Sequence, residues 1–374
     1  MTPATNPSPC NLYVSQVPRS NKAITTTMRA LCLTGLGGPD RLDLIEIAEP
    51  DPPAPDQVRV GIRAVALNHL DLMVARGIEA IPITVFPRVV GCDGAGVVLE
   101  TGAAVTHVAV GDRVVINAGT SCGKCEACRE RREVFCRGFG VLGEHHPGLA
   151  AEQVVVPAIN VQRLEGDWSW AEAAAFTLTT LTAWRMLTTR AAVQSGEAVL
   201  IWGIGGGVAL QALQIARHLG ARVAVTSGDD AKLARAAELG AELVLDHSDP
   251  TLDIPRAVKQ HFGHGADVIV DSVGTATWPR SLKALRPGGR LVACGATSGH
   301  DIELDLRRLF WFQWSLLGST MGTSTEFAAV TALGNQGLLR PVVDTVMPLT
   351  NGRDAYRRLE SGHQFGKLVL EVST

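Results

Sequence analysis

Residues Glu197 to Asp230 constrain this chain more than any other stretch. A short apolar run, Val199 to Ile201, meets glycines at 203, 205, 206 and 207, and an amphipathic run with Leu210, Leu213, Ala216 and Leu219 on one face follows. The pattern predicts a strand, a tight turn and a helix. Gly220 ends the helix and Arg222 to Thr226 reads as a second buried strand, so the unit has the order of a parallel crossover. Glycines in such a turn let the backbone approach a diphosphate, whose charge the free N–H groups and partial positive charge of a helix N-terminus stabilise. The Gly-x-Gly-x-x-Gly series from Gly203 has Val208 in place of its third glycine, and the alternative register runs Ile204, Gly206, Ala209. The loop alone is therefore a weak sign, and its context decides.

That context is periodic. Leu243 to Leu245, Asp267 to Asp271, Arg290 to Cys294 and Ser315 to Ser319 are further short apolar runs, punctuated by Gly240, Gly265 and a Pro287-Gly288-Gly289 turn. With the first two they make six strands, the number in a doubly wound dinucleotide-binding sheet. Ligands of such sheets lie across the carboxyl ends of the strands, so Ser227, Asp271 to Gly274 and Cys294 to Thr297 are expected to line the groove. The residues predicted to bind the cofactor are Gly203, Gly205, Gly206, Gly207 and Val208 in the turn, then Ser227, Lys232, Val273, Gly295 and Ala296. An acid at the end of the second strand would bind the ribose 2′-OH of NAD, but here the strand ends Thr226-Ser227-Gly228, with Lys232 one turn on and Arg222 at the strand start. This predicts NADP(H). Asp229 and Asp230 are the objection, and they are expected to cap the next helix instead.

A chain of 374 residues is long enough for two domains, and 46% apolar with 19% charged residues is an ordinary globular composition. A net charge of −3 argues against nucleic acid or an acidic membrane as partner, and no run approaches the roughly eighteen apolar residues of a membrane span. Residues 1–27, rich in Thr, Pro, Ser and Asn, lack the apolar core of a secretory signal and read as a disordered extension or a start codon placed too early. The protein is expected to be cytoplasmic, its eight cysteines metal ligands and thiols rather than disulfides.

From Met28 to about Val156 the chain alternates short strands and turns: RALCL, LDLIEI, QVRVGIRAVALN, GAGVVLE, GDRVVI and EQVVVP. Asn68-His69-Leu70-Asp71, Gly91-Cys92-Asp93-Gly94-Ala95-Gly96 and Gly111-Asp112-Arg113-Val114, followed by a cysteine cluster and the glycine turn, resemble the medium-chain dehydrogenase/reductase superfamily. The resemblance covers nearly everything after Met28. It implies an α/β chain with a GroES-like, mostly-β domain (28–178 and 321–374, with a metal lobe at 119–138) and an inserted doubly wound six-stranded Rossmann domain (179–320). It also implies that Lys367 reaches the cofactor, and that the sixth strand, with Leu316 to Thr320, pairs across the two-fold axis of a homodimer, a tetramer being the alternative. Ser169 and Glu172 read as a capping box opening the helix that joins the domains. Phe310, Trp311, Phe312 and Trp314 read as core or subunit interface.

Cys122, Cys125, Cys128 and Cys136 form the most specific local motif, Cys-x2-Cys-x2-Cys-x7-Cys. Four thiolates surround one ion and leave no open position, so the predicted site is structural, with one zinc per chain and iron the chemical alternative. A second, catalytic zinc is where the chain departs from the alcohol dehydrogenases it resembles. The positions matching their Cys, His and Cys or Asp ligands are Asn68, Cys92 and Leu178. The candidate catalytic residues are thus Asn68, His69, Asp71 and Cys92: Asn68, His69 and the backbone around Cys294 to Thr297 as oxyanion donors, and His69, Asp71, Cys92 and Asp93 as the ligand types of an atypical metal set. Asp93 otherwise reads as preceding a Gly94-Ala95-Gly96 turn whose backbone N–H groups it binds, and the loop Gly143 to Gly148 is a further proton-donor candidate. Reduction of an aldehyde benefits from a Lewis acid, whereas a conjugated enone or quinone spreads the developing charge, which hydrogen-bond donors then hold. The leading expectation is an NADPH-dependent reductase of activated double bonds or quinones acting on a small-molecule substrate. A zinc alcohol dehydrogenase or carbonyl reductase with an unorthodox site and a non-catalytic NADPH-binding protein are the alternatives.

Overall fold

The computed structural model describes residues 26–78 and 83–373. The expected disordered extension lies, up to residue 25, outside the described residues. The first strand begins at Thr27, opposite Ala48, one residue before the expected Met28.

The β-branched runs read from the sequence assemble into a six-stranded parallel sheet. Its order is Leu243–Asp246, Arg222–Ser227, Ala198–Ile201, Ala266–Asp271, Leu285–Ala293, Ser315–Gly318, every neighbouring pair parallel. In chain order this is 3-2-1-4-5-6, the doubly wound arrangement whose crevice lies where the order reverses, beside the first strand. The Pro287-Gly288-Gly289 turn is not a separate element. It sits within Leu285–Ala293 as an irregularity where the register jumps from Ala266–Leu285 to Val268–Arg290, and Gly288 takes φ 72°.

The second unit is built from both ends of the chain. A seven-stranded sheet runs Val161–Arg163, Arg113–Ile116, Asp93–Thr101, Gln57–Ala66, Lys367–Glu371, Val343–Pro348, with Gln153–Pro157 also pairing on Gln57–Ala66. Leu370 stands opposite Val65, so the C-terminal strand brings Lys367 beside the end of Gln57–Ala66. Gly94-Ala95-Gly96 is not a turn, as the sequence suggested, but part of the strand Asp93–Thr101. A Cβ at Gly96 would stand 2.1 Å from the Gly61 carbonyl oxygen, so this glycine allows two strands to approach closely rather than the chain to reverse.

The chain crosses between the sheets twice. The first crossing is the helix Trp170–Trp184, opened by the expected box: Ser169 Oγ accepts the Glu172 N–H (3.2 Å) and the Glu172 carboxylate accepts the Ser169 N–H (3.0 Å). The helix runs unbroken through 178–179, where the domain boundary was expected, into a π-helical segment Arg185–Arg190. The second crossing follows the sixth strand through Thr320 and Met321, the latter at φ 45°. The aromatic cluster divides: Trp314 is buried and stacks on Phe312 (5.1 Å), whereas Phe310 and Trp311 are 67% and 76% exposed beside the edge strand. No helix among the described residues is long and apolar enough to cross a membrane.

Candidate functional site

A cleft of about 860 Å³ opens where the two crossings meet the carboxyl ends of the parallel strands. All the residues predicted to bind cofactor, from Gly203 to Ala296 together with Lys367, line this one cleft, and so do Asn68 and His69. Its size suits a dinucleotide groove or a drug-sized ligand.

The floor is the glycine turn. Gly203 and Gly205 take φ 70° and 130°, and Gly206 is the N-cap of the helix Gly207–His218, whose first N–H groups have no intrahelical acceptor. A Cβ at Gly207 would lie 2.8 Å from Thr179 Cγ2 and 2.9 Å from Lys367 Cδ. Glycine at 207 therefore allows the helix to start against the alkyl stem of the lysine, with its free N–H groups at the cleft floor. At the other end of the groove Ser227, buried, accepts the Asp229 N–H (3.2 Å), and Asp229 caps its helix by accepting the Lys232 N–H (3.1 Å), the predicted role. Lys232 Nζ donates to the Gly362 carbonyl across the groove (2.7 Å). Arg222 is at the wrong end of its strand to serve the groove, where it pairs with Glu242 (2.6 Å). His247, which the sequence reading missed, also lines the cleft, its Nδ1 3.1 Å from Thr226 Oγ1.

The inner wall is a buried polar network. Lys367 Nζ donates to Asn68 Oδ1 (2.5 Å) and Asp93 Oδ2 (2.8 Å), and Asn68 Nδ2 donates to the same Asp93 oxygen (2.9 Å). Asp93, fully buried, takes two more donors on its other oxygen, the Leu178 N–H (2.7 Å) and the Thr177 hydroxyl. Asn68 is the N-cap of the helix His69–Arg76, and the Asp71 carboxylate accepts the Asn68 N–H (2.7 Å) in a second capping box. This segment is a helix start. Asp71 and Cys92 lie behind the wall rather than in the cleft, Cys92 Sγ 3.5 Å from Asp71 Oδ1. Burial raises the Asp71 carboxyl to about 6, opposed by the Asn68 N–H, and it pushes the Cys92 thiol well above its usual range, with Asp71 adding to the effect. His69 is exposed at the cleft edge. Desolvation by the surrounding protein, then the charges of Lys367 and Arg76, hold its imidazole below the ordinary value. In the loop Gly143 to Gly148, Glu144 lines the cleft, while burial and then His145 bring His146 down to about 4.

The four cysteines converge, all four sulfurs within 4.8 Å of one another, and no other group of three or more ligand-type side chains does so among the described residues. Thiolates about 2.3 Å from a shared ion stand about 3.8 Å apart, so the set fits a tetrahedral metal. The Cys122 and Gly138 N–H groups point at Cys136 Sγ (3.4 and 3.3 Å), as they would toward a thiolate. The positions matching a catalytic zinc do not fit one. Leu178 offers no donor atom, the Cys92 sulfur faces the Asp71 carboxyl behind the wall, and Asn68 already faces an ammonium group. A dication there would meet the Lys367 charge in a low-dielectric wall.

Comparison with known proteins agrees with the geometry. Residues 54–166 match the model of the alcohol dehydrogenase GroES-like domain and residues 207–336 that of the zinc-binding dehydrogenase family. The chain is 29% identical over 326 residues to the acryloyl-coenzyme A reductase of Metallosphaera sedula, covering 87% of this chain and 95% of that protein. It is 33% identical over 332 residues to the pikromycin polyketide synthase component PikAII of Streptomyces venezuelae, covering 87% of this chain but only 8% of that protein's length. A crystal structure of an NAD-dependent alcohol dehydrogenase superposes with a TM-score of 0.87 at 40% identity, over 92% of this chain and all of that one. The chain belongs to the medium-chain dehydrogenase/reductase superfamily.

Proposed function

We propose that this protein is an NADPH-dependent oxidoreductase that transfers hydride to an activated C=C bond, as in an enone or enoyl thioester, or to a quinone. In this reading 179–320 holds the cofactor and 28–178 with 321–374 forms the substrate side. The four-cysteine lobe carries one structural zinc per chain, and the exposed edge strand Ser315–Gly318 with Phe310 and Trp311 joins two copies. A cytoplasmic setting suits its free thiols.

The observation that carries the reading is the Lys367–Asn68–Asp93 network, which puts hydrogen-bond donors and a fixed cation where a metal-dependent relative needs ligands. The bound dinucleotide supplies the hydride. The residues of this chain do the rest. The Gly207 helix end holds the diphosphate, and Ser227 with Lys232 accepts a 2′-phosphate that an acid at 227 would repel. Hydride from the cofactor would add to the β-carbon of the acceptor, with the C=C pair shifting to join the α-carbon to the carbonyl carbon and the carbonyl π pair moving onto oxygen; as the carbonyl re-forms, the α-carbon would take a proton from water or from a residue at the cleft edge. The developing negative oxygen needs donors. Asn68 has one amide hydrogen in only a long contact (3.4 Å, to the Ala66 carbonyl), and the His69 ring stands beside it at the cleft edge. The acryloyl-coenzyme A reductase supports an enoyl thioester as the substrate class. The alcohol dehydrogenase likeness is the ground for the second reading, reversible oxidation of an alcohol. The test is NADPH oxidation with crotonyl-coenzyme A, an enone, 1,4-benzoquinone and an aldehyde. Turnover of the aldehyde alone overturns the proposal.

A further inference from the structure

The metal lobe touches the cleft through a short run of chain. Glu133, in the 3-10 turn just before Cys136, is 8% exposed and accepts the Ser324 hydroxyl (2.6 Å), while its second oxygen is buried without a partner among the described residues. A buried carboxylate with one side-chain bond depends on that bond. Ser324 opens the helix Ser324–Asn335, whose N-cap Thr323 is boxed with Glu326. Glu326 in turn holds Arg185 (2.8 Å) and the Thr189 hydroxyl from the first crossing, and the Arg185 guanidinium lies 5.8 Å over the Phe135 ring of the lobe. One edge of the lobe therefore grips both crossings.

Just upstream of Ser324 the chain has no slack. A Cβ at Gly322 would come within 2.3 Å of Leu181 Cδ1, and Met321 is held at φ 45°, a left-handed conformation a long side chain rarely adopts. Thr320 and Met321 form cleft wall, and Met321 packs in the same apolar cluster as Leu178. Strain of this kind persists only where the surroundings over-determine it.

We propose that Glu133 is a positioning residue for the cleft: by fixing Ser324 it holds the Thr320–Met321 wall in place beside Leu178. The inference rests on the nicotinamide reading above. In that reading the phosphates are held by the Gly203 to Gly207 turn, which the Glu133–Ser324 bond does not touch, so loosening the wall changes turnover more than binding. Displacements of about 1 Å there cost up to about a hundredfold in rate.

The test titrates NADPH into wild type, Glu133→Ala, Glu133→Gln, Ser324→Ala and the Glu133→Ala/Ser324→Ala double variant, recording the emission of the bound nicotinamide and then kcat and KM with the best acceptor. The expected result for both alanine variants is an NADPH Kd within about twofold of wild type, altered nicotinamide emission and kcat down about tenfold. The double variant is no worse than either single one, and Glu133→Gln, whose amide oxygen still accepts the Ser324 hydrogen, recovers most of the loss. If Glu133→Ala does not fold, Ser324→Ala and Glu133→Gln decide. Unchanged emission and kcat, or additive losses in the double variant, overturn the inference. A wild-type chain that binds no NADPH takes down the functional reading and this proposal with it.

Discussion

Replacing Asp93 with asparagine tests the inner wall most severely, because the change keeps the shape but removes the charge and turns one acceptor into a donor. In the native wall one carboxylate oxygen receives Lys367 Nζ at 2.8 Å and Asn68 Nδ2 at 2.9 Å, the other the Leu178 N–H at 2.7 Å and the Thr177 hydroxyl. An asparagine satisfies one pair with its carbonyl and must then turn its own N–H group toward two donors. Lys367, 4% exposed, keeps only Asn68 Oδ1 and loses its counter-charge. Breaking a buried pair from one side typically costs about 3–5 kcal/mol. The reverse change, Lys367→Met, leaves Asp93 with three donors, so its cost should be about 1–3 kcal/mol. Urea unfolding at neutral pH, followed by far-UV circular dichroism, measures both. The expected order is Asp93→Asn well above Lys367→Met. Equal costs, or a Lys367→Met variant that is the less stable, would refute the view that Asp93 is held by the wall independently of the lysine.

Cys125→Ser should abolish the binding of one zinc equivalent per chain and lower the melting temperature, read by elemental analysis and calorimetry on the same sample; an unchanged metal content removes the structural site. Lys232→Ala should weaken NADPH binding by about ten- to a hundredfold, the worth of a charge-assisted bond, while sparing NADH, and Ser227→Asp should invert the preference. Fluorescence titration with both cofactors decides. The Asp71 carboxyl is raised from 3.8 to about 6, so the folded state binds its proton more tightly than the unfolded chain does. Stability from this group is therefore greatest below pH 4 and falls as the pH rises to 6, by about 3 kcal/mol at most. Asp71→Asn, which still accepts the Asn68 N–H, should flatten that slope in unfolding measured across the window, and an unaltered pH profile contradicts the assignment.

The cofactor half of the molecule was legible because its signals are local. Strand, glycine turn and helix succeed one another from Val199 onward, and Ser227 ends the second strand with Lys232 one turn into the helix after it. The four-cysteine set was legible for the same reason, its ligands lying within fifteen residues. The inner wall was only half visible. Asn68 stood out through its motif, but Asp93 was assigned to a turn because glycines flank it, whereas those glycines serve the approach of two strands. The partner that explains Asp93 lies 274 positions away at Lys367, joined only by the return of the last strand to the first sheet. Such a contact has no local period to betray it. The capping box at Asn68 and Asp71 did have a local signature, the same three-residue spacing that identified Ser169 and Glu172, with Asp in place of Glu.

The claim that the wall works with hydrogen-bond donors and a lysine rather than a catalytic metal is tested most directly by counting zinc in a sample whose turnover of crotonyl-coenzyme A or an enone with NADPH has just been recorded. The account predicts conjugate reduction by chains holding one zinc each. Two zinc ions per chain, with turnover confined to an alcohol or aldehyde and lost when the second ion is chelated, would contradict it.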